Sequence, residues 1–376
     1  MTKTMHGDRR SFLKAGAVAG TAIIAGASRA AAQQANTDAS SRPITEGDVA
    51  ILQFLAAVEL IESDLWIQYA ELGGVQDTEI PGLPTGGSPP YTAALNNLDG
   101  DMSQYIHDNT EDEISHETFL NAYLASKGAT QVNLDEFRTL PSSRATGARQ
   151  IGRLTNLMQL TVDTSWYTRY RSRTNNPDLD QGFKFPQAVP SLSSGQFTAI
   201  PRTDADLTPQ GHIQAIANTA AFHFCFIEQG GSSLYPTLAQ NVIHPEVLRI
   251  LLSIGPTETS HFQTWHDKAG NAVSDPLAPL TDPTNPRLVF PNLNLPPFGG
   301  EDFQTNLIMP EPCPFLSRQL PVVSIIRPTS IAEGGALATI KAFAADGLFI
   351  GQSERFIELL LFLAQRADSA NRGSAD

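Results

Sequence analysis

A Glu-x-x-His motif occurs twice in this chain, at Glu113–His116 and again at Glu258–His261. On a helix, residues three apart share a face, so each motif presents a carboxylate and an imidazole side by side. Glu59 and Glu228 lie in apolar helical patterns, one ahead of each motif. Because a buried charge without a partner costs several kcal/mol, these six groups favour a helical bundle in which they converge on metal ions.

The positions of the glutamates relative to the intervening turns support this convergence. Residues placed symmetrically about the turn of an antiparallel helical hairpin lie at the same height. The midpoint between Glu228 and Glu258 is residue 243, inside the turn-forming segment 241–245. The midpoint between Glu59 and Glu113 is residue 86, inside the Pro- and Gly-rich segment 84–88. We therefore expect the two glutamates of each pair to face each other.

Apolar residues at spacings of three and four predict four bundle helices. The first begins after the N-cap Thr45 and ends at Gly73-Gly74; the second runs from the nineties through Ser126; the third spans about 211–240; and the fourth runs from Pro245 to near Gly270. Gly230-Gly231 and Pro236 predict a bend or break in the third helix, and Pro256 a kink or restart in the fourth.

The remaining segments surround this bundle, predicted at 45–270. A further helix is expected at 147–171, and a Pro/Ser/Gly-rich loop at 175–209 lies within a long crossover. Residues 271–376 are predicted as an extension packed on the bundle. Its expected features are Pro-rich loops to 328, short strands at 288–290 and 322–326, and amphipathic helices at 331–345 and 352–370.

Residues 1–32 have the features of an export signal. The segment 8–14, DRRSFLK, resembles the twin-arginine signal, and the apolar run 15–27 is too short to span a bilayer. Segment 28–32 supplies an A-x-A cleavage site, which makes Gln33 the expected mature start. We expect the protein to be periplasmic or secreted.

Charge and cysteine content exclude several classes of partner and site. The net charge is −14 and the isoelectric point about 5.0, which argues against nucleic acid and anionic membranes as partners. Outside the signal, no apolar run is long enough for a membrane span. Two cysteines, Cys225 and Cys313, are too few for thiolate zinc or iron–sulfur frameworks; a disulfide between them stays open.

Four segments resemble the ferritin-like superfamily, and more closely the ferritin-like domain proteins that include plant desiccation-related proteins and exported bacterial homologues. They are AAVELIESDLW (56–66), DEISHETFLNAYLASKGA (112–129), FIEQGGSSLYPTLA (226–239) and ETSHFQTWH (258–266). The resemblance implies an all-α, left-handed antiparallel four-helix bundle with a long crossover and a carboxylate-bridged pair of iron or manganese ions. The chain departs from the family pattern at Trp66, at Gly230-Gly231, in the helix at 147–171 and in the tail after 271.

The resemblance also implies a role for each of the six residues. Glu59 and His116 would bind one metal ion, and Glu228 and His261 the other. Glu113 and Glu258 would bridge the two ions. Glu62 lies three residues after Glu59 and could be a ligand in its place.

Other side chains near the motifs have simpler interpretations. Glu117 is expected to face outward, and His107 and His266 to lie at the surface or to support the ligands. His223 and His244 have no facing carboxylate at helical spacing. The aromatic residues on the same stripes (Trp66, Tyr69, Tyr235 and Trp265) and the thiol of Cys225 are expected to belong to the core.

The sequence therefore predicts a redox-active dimetal protein acting on O₂, peroxide or ferrous iron. Peroxide disproportionation, as in the manganese catalases, and iron oxidation both fit the ligand set. One alternative is a non-catalytic stress or desiccation-associated protein in which the metal only stabilises the bundle. A third hypothesis is a binding module in which 271–376 docks a partner.

Overall fold

The computed structural model describes residues 43–169, 184–296, 309–311, 319, 323–325 and 334–370. Within these ranges the regular secondary structure is helical apart from two short strand pairs, which confirms the all-α prediction. The helices are α1 (Glu46–Gly73), α2 (Pro89–Leu98), α3 (Met102–Ser126), α4 (Ser165–Arg169), α5 (Gln210–Ala239), α6 (Pro245–Asn271), α7 (Ala336–Asp346) and α8 (Glu354–Asp368). The expected signal at 1–32 lies outside the described residues.

Two helical hairpins form the bundle. The α1 helix packs along α3, and α5 packs along α6. The hairpins meet through a stack of indoles, in which the ring centroids of Trp66 and Trp265 are 5.4 Å apart. Both rings are almost completely buried, so this contact is part of the apolar core between the hairpins.

The N-terminus of α1 is held by a capping box that also anchors the α5–α6 turn. Thr45 Oγ1 accepts a hydrogen bond from the Asp48 amide at 3.0 Å, and the Asp48 carboxylate accepts one from the Thr45 amide at 3.2 Å. The same carboxylate accepts hydrogen bonds from the amides of Ile243 at 2.9 Å and His244 at 3.2 Å. The predicted N-cap is therefore confirmed.

Proline and glycine do not interrupt the long helices as the sequence predicts. The α5 helix continues through Gly230-Gly231 and Pro236, and α6 continues through Pro256. The alternatives of a break in the third helix and a restart in the fourth are therefore wrong, and the alternatives of a bend and a kink stay predictions. The two helices pack along each other, and that burial outweighs the local cost of about 3 kcal/mol for an interior proline.

The second predicted bundle helix is instead divided into α2 and α3. The backbone is extended at Asp99, and helical structure resumes at Met102. The Asp99 carboxylate accepts a hydrogen bond from the Asp101 amide at 2.8 Å and lies 2.8 Å from Lys268 Nζ. These bonds compete with the helical backbone pattern, which explains the interruption.

The helix predicted at 147–171 is also wrong, because only Ser165–Arg169 is helical in its described part. The preceding segment is irregular and is bound to buried acids on α1. Asp64 Oδ2 accepts hydrogen bonds from the amides of Leu154 and Thr155, both at 3.0 Å. Arg153 Nη2 lies 2.5 Å from Glu71 Oε2. The bonds to Asp64 occupy backbone donors that a helix would need, and the Arg153 side chain adds a second tie to α1.

The C-terminal helices pack against the bundle. On α8, Arg366 Nη1 donates to Gln53 Oε1 of α1 at 3.1 Å. On α7, the buried Asp346 carboxylate lies 3.0 Å from His223 Nε2 of α5. Within the described ranges, no helix combines the length and apolar character that a membrane crossing requires.

The short strands form two antiparallel pairs. β1 (Leu280–Thr281) pairs with β2 (Val289–Phe290), and β3 (Met309–Glu311) pairs with β4 (Val323–Ile325). β2 and β4 lie where the sequence predicts strands.

We predict that Asp48→Ala lowers the free energy of unfolding by about 2–4 kcal/mol. The substitution removes the capping box and leaves the Ile243 and His244 amides without their acceptor. Urea denaturation measures the change. Glu46→Ala, at an exposed first-turn position, is the matched control and is expected to change stability by less than about 0.5 kcal/mol. Equal losses in both variants would contradict the assignment.

Candidate metal centre

All six side chains singled out from the motifs converge inside the bundle. They form two groups, in each of which the potential ligand atoms all lie within 4.8 Å of one another. One group comprises Glu59, Glu113, His116 and Glu258, and the other comprises Glu113, Glu228, Glu258 and His261. Glu113 and Glu258 belong to both groups. The structure therefore brings together residues from α1, α3, α5 and α6.

Each imidazole faces carboxylates through its Nδ1 atom. His116 Nδ1 lies 3.1 Å from Glu113 Oε2, 3.4 Å from Glu59 Oε2 and 3.3 Å from Glu258 Oε1. The second imidazole repeats this pattern, with His261 Nδ1 3.3 Å from both Glu113 Oε1 and Glu228 Oε2. The two halves of the cluster are therefore arranged in a similar way.

The carboxylates are sealed from solvent, whereas the histidines lie at the edge of the cluster. The side chains of His116 and His261 are 10% and 11% exposed, and those of the four glutamates are at most 1% exposed. Any small molecule that reaches the carboxylates must therefore pass the imidazoles or wait for a local opening of the helices.

Burial and mutual repulsion change the acidity of the cluster. Burial raises the pKa of Glu59 to about 7, against the opposing attraction of His116. Burial also raises the pKa values of Glu228 and Glu258. The pKa of Glu113 falls instead, because the close imidazoles of His116 and His261 outweigh its burial.

The histidines respond in the opposite direction. Burial lowers their pKa values, but the attraction of Glu59 for His116 and of Glu228 for His261 outweighs it, so both pKa values rise. Without metal, the cluster therefore holds protons that a bound cation would have to displace.

Several buried atoms of the cluster lack hydrogen-bond donors. These atoms are Glu59 Oε2, Glu228 Oε2 and both carboxylate oxygens of Glu258. Within the described ranges, no lysine or arginine forms an ion pair with any of the four carboxylates. Buried carboxylate oxygens normally have partners, and cations with oxygen and imidazole ligands fit this set. The cluster is therefore compatible with a metal site.

Asn109 supports the cluster and was not singled out from the sequence. Its Nδ2 atom donates to Glu113 Oε1 at 2.8 Å and to Glu228 Oε1 at 2.9 Å. Trp265 Nε1, which can only donate, bonds to Asn109 Oδ1 at 2.7 Å and so sets the orientation of the amide. Asn109 lies four residues before Glu113, so the shared helix face could have identified it.

Two further side chains orient members of the cluster. The Asp112 carboxylate lies 3.0 Å from His261 Nε2, which leaves Nδ1 facing the glutamates. The hydroxyl of Tyr235 donates to Glu59 Oε1. Tyr235 was expected only as a core aromatic, although its position seven residues after Glu228 puts both on one face of α5.

Glu62, the alternative to Glu59, belongs to neither group of potential ligands. It is nevertheless buried, and its pKa is raised well above the usual value by burial first and then by the neighbouring carboxylates of Glu113 and Glu59. Glu62 therefore favours the protonated form beside the cluster. Glu117 is half-buried and is not in the cluster either.

The other histidines and aromatic residues lie outside the two groups. His107 and His266 are buried, so a surface position is wrong for both. His223 does have a facing carboxylate, from Asp346, which sequence spacing cannot reveal because the two are far apart in the chain. The ring of Trp66 stacks on Phe224, and Cys225 is buried, as expected of core residues.

Comparison with known proteins gives one match. The model of the family described as ferritin-like domain matches residues 47–271, a range that contains all six residues of the cluster. No curated protein matches the chain, and no solved structure matches it.

The glycine pair after Glu228 has an explanation in the cluster. A Cβ atom on Gly231 would lie 2.5 Å from Glu258 Oε2, so only glycine leaves the carboxylate in its observed position. A Cβ atom on Gly230 would meet nothing within 4 Å. Only Gly231 is therefore required by the site.

We predict different outcomes for alanine at these two positions. Gly230→Ala should raise the free energy of unfolding by about 0.5–1 kcal/mol, because alanine is the better helix former. Gly231→Ala should lack this gain, because the new methyl group displaces the Glu258 carboxylate. Urea denaturation of the metal-free variants measures both changes. The same gain in both would show that the Glu258 carboxylate moves aside without cost.

Proposed function

Because this chain belongs to the ferritin-like domain family, we propose that its bundle binds two iron or two manganese ions and reacts with O₂, peroxide or ferrous iron. The observation that carries the proposal is the overlap of two buried ligand groups that share Glu113 and Glu258. Such sharing suits two neighbouring ions, about 3.5–4 Å apart in dimetal sites, better than a single ion.

In this proposal each ion has its own terminal ligands. Glu59 and His116 would hold one ion, Glu228 and His261 would hold the other, and Glu113 and Glu258 would be available to both. Four carboxylates balance the charge of two divalent cations when both imidazoles are neutral. Binding would remove the cost of burying unpaired carboxylates, which supports two cations rather than one.

The types of ligand narrow the choice of metal. Carboxylate oxygens and imidazole nitrogens suit iron and manganese, whereas copper(I) prefers the sulfur of cysteine or methionine. Cys225 lies outside both groups, with its Sγ atom directed at the carbonyl oxygen of Phe262 at 3.8 Å. This composition supports iron or manganese but does not choose between them.

Iron or manganese would supply electron-transfer chemistry at this position, and the protein would supply positioning and protons. Asn109 holds Glu113 and Glu228 in place, and the contact between Asp112 and His261 directs the imidazole towards the metal position. In the metal-free chain, burial and the neighbouring carboxylates raise the pKa of Glu62, so this side chain would be a candidate to hold a proton beside the cluster.

The burial of the cluster favours a second candidate function. Carboxylates that are at most 1% exposed leave little room for substrate, which suits a metal pair that only stabilises the bundle. A non-catalytic stress protein of the desiccation-related type would have such a centre. Turnover distinguishes the two candidates, because only the first requires it.

We also propose that residues 1–32 direct export through the twin-arginine pathway, because segment 8–14 carries the arginine pair. The expected result is a mature protein that begins at Gln33 in the periplasm or medium. Replacing Arg9 and Arg10 with lysine should retain the chain in the cytoplasm. N-terminal sequencing of the fractionated protein tests this, and export of the lysine variant at the normal level would contradict it.

We predict that the natively exported protein contains two iron or manganese ions per chain at the cluster. Glu258→Ala should reduce this to one or none, because its carboxylate is shared, and turnover should fall at least about tenfold. Glu117→Gln, at a half-buried residue of α3 outside the cluster, is the control and should retain both ions. Elemental analysis, O₂ evolution from peroxide and ferrous oxidation are the measurements.

Metal binding at the cluster should depend on pH. The pKa of Glu59 is raised to about 7, so below that pH its proton competes with the metal, and the apparent affinity for the metal should rise from pH 6 to pH 7.5.

Full metal occupancy with no activity in either assay would favour the stabilising role. A folded protein without metal at the cluster would contradict both functions.

A further inference from the structure

A separate group of polar side chains lies where the loop between α1 and α2 meets α3. At its centre is His107, which is 1% exposed and whose two ring nitrogens make no hydrogen bond. His107 Nε2 lies 3.6 Å from Asp77 Oδ2, 3.6 Å from Glu79 Oε2 and 3.8 Å from Glu111 Oε2. A buried imidazole therefore directs one nitrogen at three carboxylates without bonding to any of them.

The two separations of 3.6 Å lie at the upper end of the range found between ligands of one ion, and the separation of 3.8 Å lies just above it. They exceed the usual hydrogen-bond range of about 2.7–3.2 Å. Ligands about 2.0–2.2 Å from one metal ion are separated from each other by roughly 3–3.6 Å at tetrahedral or octahedral angles. The donor atoms of Asp77, Glu79 and His107 all lie within 4.8 Å of one another. Small side-chain movements would therefore bring them onto a common ion.

The negative charge here is not balanced by nearby basic residues. In the described part of the chain, Asp77, Glu79 and Glu111 form ion pairs only with His107. Burial raises the pKa of Glu111; His107 opposes this rise, and the carboxylates of Glu79, Asp108 and Asp77 add to it. A divalent cation would relieve this repulsion.

The loop holds its two acids close to the histidine. Asp77 Oδ1 accepts a hydrogen bond from the Glu79 amide at 2.9 Å, which leaves Oδ2 on the side of His107. The next residue, Ile80, is completely buried and fixes the loop against the protein. Asp77 and Glu79 are half exposed, so an ion from solvent can reach them.

We propose that Asp77, Glu79 and His107 bind one divalent transition-metal ion, with the Glu111 carboxylate 3.8 Å from His107 at its side. The site is distinct from the centre of the bundle, because six residues of α3 separate His107 from Glu113, a rise of about 9 Å on different faces of the helix. An imidazole ligand favours manganese, iron or zinc over magnesium and calcium, which prefer oxygen alone. The bound ion connects the α1–α2 loop to α3.

Manganese(II) binding to the full mature chain tests the proposal. The His116→Gln/His261→Gln double variant is the background, because it weakens the bundle centre and isolates the outer site. Electron paramagnetic resonance should then detect one bound, magnetically isolated ion per chain. Adding Asp77→Asn/Glu79→Gln should weaken its binding at least about tenfold. Asp101→Asn removes an exposed charge at the start of the same helix without touching the ligands and should bind as the background does.

Two further measurements distinguish a specific metal site from nonspecific attraction of cations by acidic side chains. A tenfold excess of magnesium should leave the manganese bound, whereas His107→Gln should abolish this selectivity. Manganese should also slow amide hydrogen exchange in segment 75–82, and this protection should disappear in Asp77→Asn/Glu79→Gln. Displacement by magnesium, or equal binding in the ligand and control variants, would overturn the proposal.

The outcome does not depend on the function proposed for the bundle. One manganese ion lost only with Asp77 and Glu79 would support the outer site even if the bundle centre binds nothing. If the chain that keeps His116 and His261 binds two ions both with and without Asp77→Asn/Glu79→Gln, the outer site is refuted and the bundle centre is supported.

Discussion

The burial of four carboxylates at one level of an apolar bundle is the constraint on which this structure depends. Glu59, Glu113, Glu228 and Glu258 come from four different helices, and two imidazoles, those of His116 and His261, lie within reach of them. In water each carboxylate would be solvated; here several of their oxygens have no donor. Such an arrangement is costly unless protons or cations compensate it, and the raised pKa values of Glu59 and Glu258 favour protons in that role in the metal-free chain.

The first helix shows how the same residue type serves two purposes. Asp48, Asp64 and Glu71 are buried, but each accepts hydrogen bonds from backbone amides or is paired with arginine. They bind the α5–α6 turn and the segment around Arg153 to α1. Glu59, in contrast, faces other carboxylates, and only one of its oxygens has a donor, from Tyr235. The number of hydrogen-bond donors and basic side chains around a buried carboxylate therefore distinguishes one that stabilises the fold from one that is available to a metal.

Much of the bundle and of the cluster could be predicted from the sequence, and the failures have a common cause. The Glu-x-x-His motifs depend on helical periodicity, which extends over a few residues, and they identified two helices of the centre. The segment 147–164 has an apolar helical pattern but is irregular, because Asp64 and Glu71 take its backbone and arginine donors. Likewise, nothing in the residues around His223 predicts Asp346 as its partner.

The sequence by itself determined which side chains lie on each helical face and which glutamates stand at equal distances from a turn, because both follow from the regular rise of the helix and the lengths of the loops. Only the tertiary structure decided that Glu59 rather than Glu62 enters the cluster, that Gly231 makes room for Glu258, and that His107 meets Asp77 and Glu79. These outcomes depend on contacts of a few ångströms between helices and loops that are distant in the chain, and no local pattern encodes such distances.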